Sequence, residues 1–193
     1  CELDYVSLKS DGDAPIVSST RIQSVGDNRF YVPYVAGGIV YCGWNARINM
    51  GQAEDEGQRI CATLNFRNNR IASFRGESLA LEKSLAEALS PMEPITLFAY
   101  KNHQEIRGRA CRLYSLKLSQ DERIVVDMRP AVNAAGEAGM LDAVTGRFYA
   151  NAGAGAFVPG PALKQTAYTP LEYIEATDAL EPWFIPDNTR SGL

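Results

Sequence analysis

Few side chains in this 193-residue chain have the types and the spacing that catalysis requires. Glu54, Asp55 and Glu56 are consecutive, so their carboxylates diverge, whereas paired acid–base catalysis needs carboxylates that face one another. His103, the single histidine, has no cysteine or aspartate at metal-ligand spacing. We therefore predict a solvated acidic turn at 54–56 and a surface histidine at 103.

Nucleophile and phosphate-binding motifs are also missing from the sequence. No serine stands in a Gly-x-Ser-x-Gly setting. The glycine-rich stretch Asn151–Gly155 is followed by Phe157 and Pro159, which favours a β-turn region, whereas a phosphate loop leads into a helix. The residues therefore indicate a protein that is not an enzyme and that uses no cofactor, calcium excepted.

Two groups of residues are candidates for non-covalent binding. Sugars stack on aromatic rings and form hydrogen bonds with Asn, Asp or Arg side chains. Asp pairs in loops offer the oxygen ligands that calcium prefers. The candidates are Tyr31, Tyr34, Trp44 and Asn45 for a ligand and Asp11 and Asp13 for calcium. Core packing of the aromatic rings and ordinary acidic turns are the alternatives.

Composition is that of one globular domain rich in turns. Of the residues, 46% are apolar and 22% charged, with 16 glycines and 10 prolines. Net charge is −4 and both signs are interspersed, so no basic stripe is present to neutralise a phosphate backbone. Nucleic acid is therefore not an expected partner. No apolar run approaches the ~18 residues of a membrane span.

Short apolar runs bounded by Gly, Asn, Asp or Pro recur along the chain and predict an all-β fold. In 59–66, Ile60, Ala62 and Leu64 alternate with polar neighbours, and Asn68-Asn69 predicts a hairpin turn. The predicted strands are Arg21–Gln23, Phe30–Val35, Gly38–Trp44, Arg59–Phe66, Arg70–Phe74, Ile95–Tyr100, Cys111–Leu118, Ile124–Met128 and Arg147–Ala150.

Ser78–Ser90 is the one ambiguous segment. It is rich in helix formers, with Leu81, Leu85 and Leu89 four residues apart, which favours a short helix. The same residues also fit two alternating strands with a turn near Glu82-Lys83.

The four cysteines, Cys1, Cys42, Cys61 and Cys111, fit neither a zinc site nor a CxxC motif. Cys42 and Cys61 lie in strand-like runs that could be neighbours. We predict buried free thiols there, with a disulfide as the alternative. Cys1 could be the lipid-modified first residue of a bacterial lipoprotein.

The two ends of the chain share an internal repeat. Leu3-Asp4-Tyr5-Val6 is matched by Leu171-Glu172-Tyr173-Ile174, and 19–21 is matched by 188–190 after a one-residue shift. We predict one domain over 1–163, and over 164–193 a linker and the start of a second, truncated unit. Chance similarity of two amphipathic strands is the alternative. Such a start cannot bury its own apolar face. Tyr173, Ile174, Trp183 and Phe184 must therefore pack on the first unit or lie disordered.

The C-terminal half resembles a laminin-G-like, or concanavalin A-like, jelly-roll module of bacterial surface proteins. The order and spacing of several pieces over some 65 residues carry this resemblance. The pieces are Ile95–Tyr100, Arg109, Leu113-Tyr114-Ser115, Asp127-Met128-Arg129-Pro130, Gly139-Met140-Leu141-Asp142, Gly146-Arg147-Phe148-Tyr149 and Asn151–Phe157. The opening Leu3–Val6 also fits the family pattern, whereas Ala14–Ser18 departs from it.

The resemblance implies a two-sheet antiparallel jelly-roll sandwich with at most one short helix, and it favours a β-hairpin at 78–90. Asp142 is expected to accept N–H bonds at the Gly146 turn, and Phe148, Tyr149 and Phe157 to fill the core. Glycan-cleaving relatives of this fold carry Glu-x-Asp-x-x-Glu on one strand, a pattern that this chain lacks.

The function implied is a non-catalytic module that binds carbohydrate or a host surface, on a secreted or cell-surface bacterial protein with adhesive tandem repeats. The expected partners are a glycan or surface glycoprotein and neighbouring repeats of the same chain. A structural spacer without a ligand is the alternative, and a glycoside hydrolase a third.

Overall fold

The all-β prediction is confirmed, because the regular elements in the described part of the chain are all strands, with no helix among them. The computed structural model describes residues 1–8, 16–19, 30–36, 39–44, 46–52, 57–67, 70–75, 78–84, 95–101, 106–108, 110–163, 169–176 and 183–185. Within these ranges no helix is long and apolar enough to cross a membrane.

The strands run in chain order from β1 to β19. They are β1 Glu2–Ser7, β2 Val17–Ser19, β3 Phe30–Ala36, β4 Ile39–Trp44, β5 Ala46–Gln52, β6 Arg59–Arg67, β7 Arg70–Arg75, β8 Ser78–Ser84, β9 Ile95–Leu97, β10 Ala99–Lys101, β11 Ile106–Gly108, β12 Cys111–Gln120, β13 Arg123–Val132, β14 Ala138–Asp142, β15 Phe148–Ala150, β16 Val158–Pro159, β17 Thr169–Pro170, β18 Ile174–Ala176 and β19 Trp183–Ile185.

These strands form two larger antiparallel sheets and a two-stranded ribbon. The first sheet has the order β15-β14-β13-β12-β1-β6-β7-β8. Three short strands extend it, with β18 paired to β12, β16 to β18 and β17 to β13. The second has the order β19-β9-β2-β3-β4-β5, and β10 pairs with β11. The chain passes from one sheet to the other several times, so neither sheet is a consecutive run of strands.

One hydrophobic core serves both sheets. Leu113, Leu116 and Met128 of the first sheet are fully buried in the same cluster as Val17 and Leu97 of the second. This shared core is what a sandwich-like all-β protein requires, because each sheet must cover one apolar face with the other.

Strand β6 follows the predicted alternation. Leu64 is buried, and Ile60 and Ala62 pack against the core, while Cys61 and Asn65 are exposed. The predicted hairpin is also confirmed, because Arg67 pairs with Arg70 at the turn between β6 and β7.

The predicted strand Ile95–Tyr100 is divided at Phe98. This residue has φ of 64°, a left-handed conformation that is unfavourable for a bulky side chain. Its N–H donates to the Ile16 carbonyl at 2.6 Å, and its buried ring lies 5.3 Å from that of Phe157. Phe98 therefore serves as a bend, fixed by core packing, where the chain leaves β9 for the ribbon.

Ser78–Ser84 is a strand, and the helix favoured by residue propensity is therefore wrong over this part of the segment. Strand β8 pairs antiparallel with β7, from Arg75↔Ser78 to Arg70↔Ser84. Pairing with a sheet edge overrides a local helix preference that amounts to a few tenths of a kcal/mol per residue. Residues 85–90 lie outside the described ranges.

The expected role of Asp142 is confirmed. Its fully buried carboxylate accepts the N–H of Asp127 at 3.0 Å, the N–H of Val144 at 3.1 Å and the hydroxyl of Thr145 at 2.7 Å. The turn that it holds reaches Gly146 at φ of +71°, a conformation that favours glycine. Of the three expected core aromatics, Tyr149 and Phe157 are buried and Phe148 is half-buried.

The glycine-rich loop after β15 is a turn region, as predicted. The Asn151 amide donates to the carbonyls of Gly153, Ala154 and Gly155 at 3.2, 2.9 and 3.2 Å. A phosphate loop points its N–H groups at the anion, whereas here the carbonyl oxygens converge on one side chain. The loop is therefore closed on itself by Asn151.

Two cysteines differ in burial from one another. Cys111 is fully buried in β12, while Cys61 is exposed on β6, and neither forms a disulfide. The prediction of a buried thiol is wrong for Cys61, because the odd positions of β6 face solvent. The Cys42 side chain lies outside the described part.

The segment after residue 163 packs on the strands that precede it. Ile174 is fully buried, β18 pairs with β12, and Trp183 and Phe184 pair through their backbones with β9. Packing on the first unit was one of the two outcomes expected for a truncated second unit. The domain boundary itself stays a prediction.

We expect Asp142→Ala to lower the free energy of unfolding by about 2 kcal/mol, since the buried donors that the carboxylate accepts lose their partner. Asp142→Asn keeps one carbonyl oxygen in place and should cost less. Urea denaturation measures both variants. An Ala variant as stable as the parent would contradict the role given to this carboxylate.

Candidate functional site

The predicted aromatic binding residues lie on adjacent strands of the second sheet. Tyr31 and Tyr34 belong to β3, and Trp44 ends β4. In the register, Phe30 is paired with Trp44 and Tyr34 with Tyr41, with an irregularity between Tyr31 and Tyr34. The backbone therefore brings these residues together on one strand pair.

The other predicted site residues fall outside the described part of the chain. They are Asn45 of the aromatic set and the calcium candidates Asp11 and Asp13. Among the residues that the structure describes, no group of three or more His, Cys, Asp or Glu side chains is placed to hold a metal ion.

A group of charged and aromatic side chains lies on the solvent-facing side of the first sheet. We call it the outer-face cluster, and its members are Asp4, Arg59, Arg112, Tyr114, Glu172, Tyr173 and Glu175. They come from β6, β1, β12 and β18 with the two residues before it, strands that are neighbours in the sheet. Because alternate residues of a strand point to opposite faces, the buried Leu113 places its two neighbours on this outer side.

Arg59 occupies one half of the cluster. Its Nε and Nη2 donate to the two carboxylate oxygens of Asp4 at 2.9 and 2.8 Å. The guanidinium carbon lies 3.7 Å from the centroid of the Tyr114 ring, and Nη1 is 3.7 Å from a Glu172 oxygen. The hydrogen bond to Asp4 is the main cause that raises the pKa of Arg59 above its ordinary value. This guanidinium is therefore held by two carboxylates and one aromatic ring.

Arg112 occupies the other half in a similar way. Its Nε donates to Glu175 at 2.9 Å, and its guanidinium carbon lies 4.9 Å from the Tyr173 ring centroid. Arg112 and Glu175 are direct cross-strand partners between β12 and β18. The hydrogen bond to Glu175 is the first cause that raises the pKa of Arg112.

The two tyrosines join the halves. The ring centroids of Tyr114 and Tyr173 are 5.2 Å apart with an interplanar angle of 56°, a tilted arrangement that aromatic pairs favour. Burial is the main cause that raises the pKa of Tyr114, so its phenol stays protonated at neutral pH. The two guanidinium groups thus lie at the ends of a row with the two tyrosine rings between them, and the carboxylates lie beside the guanidinium groups.

The chemistry open to this cluster is binding and positioning. Its carboxylates are engaged by guanidinium groups, and an exposed ion pair contributes about 0.5 kcal/mol. A cation over an exposed aromatic ring contributes about as much again. Several such contacts together add to the backbone pairing that holds β18 along the edge of β12.

Cys61 lies beside this cluster but is a weak nucleophile. Burial is the first cause that raises the pKa of its thiol, and the charge of Asp4 and a hydrogen bond to Asp4 raise it further. The positive charge of Arg59 acts in the opposite direction. Since the thiolate is the reactive form, a raised pKa makes this exposed cysteine slow to react at neutral pH.

The sequence reasoning did not assign the outer-face cluster. Arg59 and Arg112 were visible only as charged residues at the solvent-facing positions of alternating strands. Tyr173 was expected to pack on the first unit, but nothing in the sequence showed that Tyr114 would receive it. The pairing depends on β18 lying beside β12, which is a long-range feature of the fold.

Comparison of the chain with protein-family models, with curated proteins and with solved structures finds no match. The geometry of the molecule is therefore the basis of the functional proposals below.

We expect Cys61 to react with iodoacetamide only at alkaline pH, with a pH–rate midpoint above that of an ordinary thiol. Asp4→Asn removes a charge that raises the pKa and should lower the midpoint, whereas Arg59→Ala should raise it. Mass spectrometry of the Cys61 peptide follows the reaction, and the midpoint is insensitive to changes in access. Shifts of the same sign in both variants would contradict the assignment.

We expect the pair Arg112 and Glu175 to show a coupling free energy of about 1 kcal/mol in a double-mutant cycle of alanine variants, measured by urea denaturation. Arg112→Lys should not restore stability, because lysine lacks the Nε hydrogen bond and the planar group over Tyr173. The matched control is Arg70 and Glu82, an exposed pair at 3.2 Å that should couple more weakly. Equal coupling in both pairs would contradict the stronger pairing expected for Arg112 and Glu175.

Proposed function

We propose that this chain is a non-catalytic β-sandwich module that binds carbohydrate or a glycosylated host surface, within a secreted or cell-surface bacterial protein. Binding is by stacking and hydrogen bonding, without a covalent step. The two larger sheets are the layers of a jelly roll of the laminin-G-like, concanavalin A-like kind.

The observation that carries this proposal is the concentration of aromatic residues on β3 and β4. Residues 30–44 contain five of the 18 aromatic residues of the chain, namely Phe30, Tyr31, Tyr34, Tyr41 and Trp44. Two of the cross-strand pairs between these strands are aromatic on both sides, Phe30↔Trp44 and Tyr34↔Tyr41. Aromatic side chains are the ones on which sugar rings stack, so their concentration on two paired strands supports a sugar-binding role for this sheet.

The passage of the chain between the sheets supports the jelly-roll part of the proposal. Strand β1 lies in the first sheet, β2–β5 in the second, β6–β8 in the first and β9 in the second again. This alternation, with one core shared by both sheets, is the arrangement that Greek-key sandwiches use.

The state of the carboxylates supports binding over hydrolysis. Asp4 accepts both hydrogen bonds of Arg59, Asp127 accepts two from Arg129 at 2.8 and 3.0 Å, and Asp142 is used by a turn. A glycosidase needs one protonated and one ionised carboxyl group facing each other across the substrate. These three carboxylates are occupied by hydrogen bonds within the protein.

A structural spacer is the second candidate, and a specific observation favours it. Residues 169–185 add strands to both sheets, through β17 and β18 on the first and β19 on the second. A connection of this kind would make a row of units stiff, which is what a spacer between a cell and a distal domain requires.

We expect the purified chain to bind on a glycan array and Trp44→Ala to abolish that binding while leaving the thermal midpoint within a few degrees of the parent. Tyr173→Ala, an aromatic change on the other sheet, is the control and should bind like the parent. An array without signal, together with an extended rod in solution scattering, would favour the spacer. Loss of binding in Tyr173→Ala alone would place the site on the outer-face cluster.

A further inference from the structure

The two copies of the predicted repeat lie on either side of one strand, β12. The first copy lies in β1, which pairs antiparallel with β12, and the second leads into β18, which also pairs antiparallel with β12. Arg112 has Val6 as its partner on one side and Glu175 on the other. Strands β1 and β18 therefore flank the same strand in the same direction, and the matched residues Val6 and Ile174 lie one position apart along it, opposite Arg112 and Leu113.

The strands that follow each copy repeat this arrangement in the second sheet. Strand β2 follows β1 and pairs with β9, and β19 follows β18 and pairs with the other edge of β9. Thr96, for example, has Ser18 on one side and Phe184 on the other. Each copy thus supplies one strand to each sheet, next to the same two central strands.

Both edges of β18 are in use. Its residues pair with β12 on one side and, through Val158↔Glu175 and Pro159↔Ile174, with β16 on the other. Strand β1 likewise uses both edges, with β12 on one side and β6 on the other. A strand has only two hydrogen-bonding edges, so a segment seated as β18 is seated cannot also open a second unit as β1 opens the first.

We propose that the exchange segment, residues 169–176 and 183–185, has two mutually exclusive positions, which we call seats: the edges of β12 and β9 in the first unit, and the opening-strand position of a second unit of the same kind. In the first seat the segment covers edges of both sheets that would otherwise invite pairing with other chains. When a second unit folds, the exchange segment leaves the first seat and becomes the opening strands of that unit. This inference rests on the predicted repeat and is independent of glycan binding.

The contacts that hold the first seat suit an exchangeable segment. Strands β17, β18 and β19 are two or three residues long. Ile174 and Ala176 are fully buried, whereas the side-chain contacts to Arg112 and Tyr114 lie on the open side of the sheet. A seat of short strands and exposed ion pairs can be vacated locally while the long strands β12 and β13 stay paired.

A disulfide reports whether the first seat is occupied. Cys111 and Ala176 are direct partners between β12 and β18, and both are fully buried. Antiparallel partners lie within the Cα separation that a disulfide spans. On mild oxidation of the full chain, Ala176→Cys should form an intramolecular bond with Cys111, identified by peptide mass spectrometry. Ala176→Cys with Cys111→Ser is the control. If no disulfide forms, or if disulfides form only between chains, the pairing of β18 with β12 in the first seat is contradicted.

Competition by a second unit tests the exchange. In one two-unit chain, residues 1–193 are followed by residues 25–193, so that the exchange segment must open the second unit. In the matched control, residues 1–193 are followed by a whole second copy with its own opening strands. Both carry Ala176→Cys in the first copy and Cys111→Ser in the second. We expect the disulfide yield to fall several-fold in the first chain and to equal that of the single chain in the control.

Equal yields in the two chains would overturn the exchange. Amide exchange of the second copy gives an independent measurement on the first chain. The amides of its β12 should be protected when the disulfide is reduced and should lose protection when the disulfide is formed. Amides that are unprotected in both states would also overturn the proposal, because the segment would then not open a second unit.

Discussion

Pairing along strand β12 is the constraint on which the rest of the structure depends. This strand is hydrogen-bonded to β1 over most of its length, and on its other edge to β18 and then β13. Its inward residues Leu113 and Leu116 are fully buried, while Arg112 and Tyr114 face the other way. The period of two in this one strand therefore decides at once what fills the core and what forms the outer-face cluster.

The two faces of β12 also carry different kinds of side chain. On the inner side its leucines pack in a core that both sheets share. On the outer side it aligns guanidinium groups with tyrosine rings and carboxylates. The contacts on that side are individually weak, and they act together because neighbouring strands hold their side chains in one row. The rings of β3 and β4 belong to the other sheet, so a ligand bound there would not compete with the outer-face cluster.

The sequence predicted those parts of the fold that depend on local patterns. Alternation in β6 and the turn residues at 68–69 were sufficient for a hairpin, and the Asp142 turn followed from the expected acceptor role before a glycine. Phe98 could not be predicted as a bend, because its left-handed conformation is imposed by packing against Phe157. Ser78–Ser84 has the composition of a helix, and only the neighbouring strand β7 makes it a strand.

The outer-face cluster shows why functional surfaces of sheets are harder to predict than their cores. A core residue is marked by its own hydrophobicity, whereas Arg59 acquires its role from Asp4 on one strand and Tyr114 on the next strand but one. These residues are 55 positions apart in each case, and no local period connects them. The internal repeat was the one long-range signal in the sequence. It predicted residues 171–174 as a copy of an opening strand, and in the structure β1 and β18 pair with opposite edges of β12. A repeat found in the sequence thus predicts which strand edges its copies occupy. Each strand has two hydrogen-bonding edges, so one segment can pair with two strands at most.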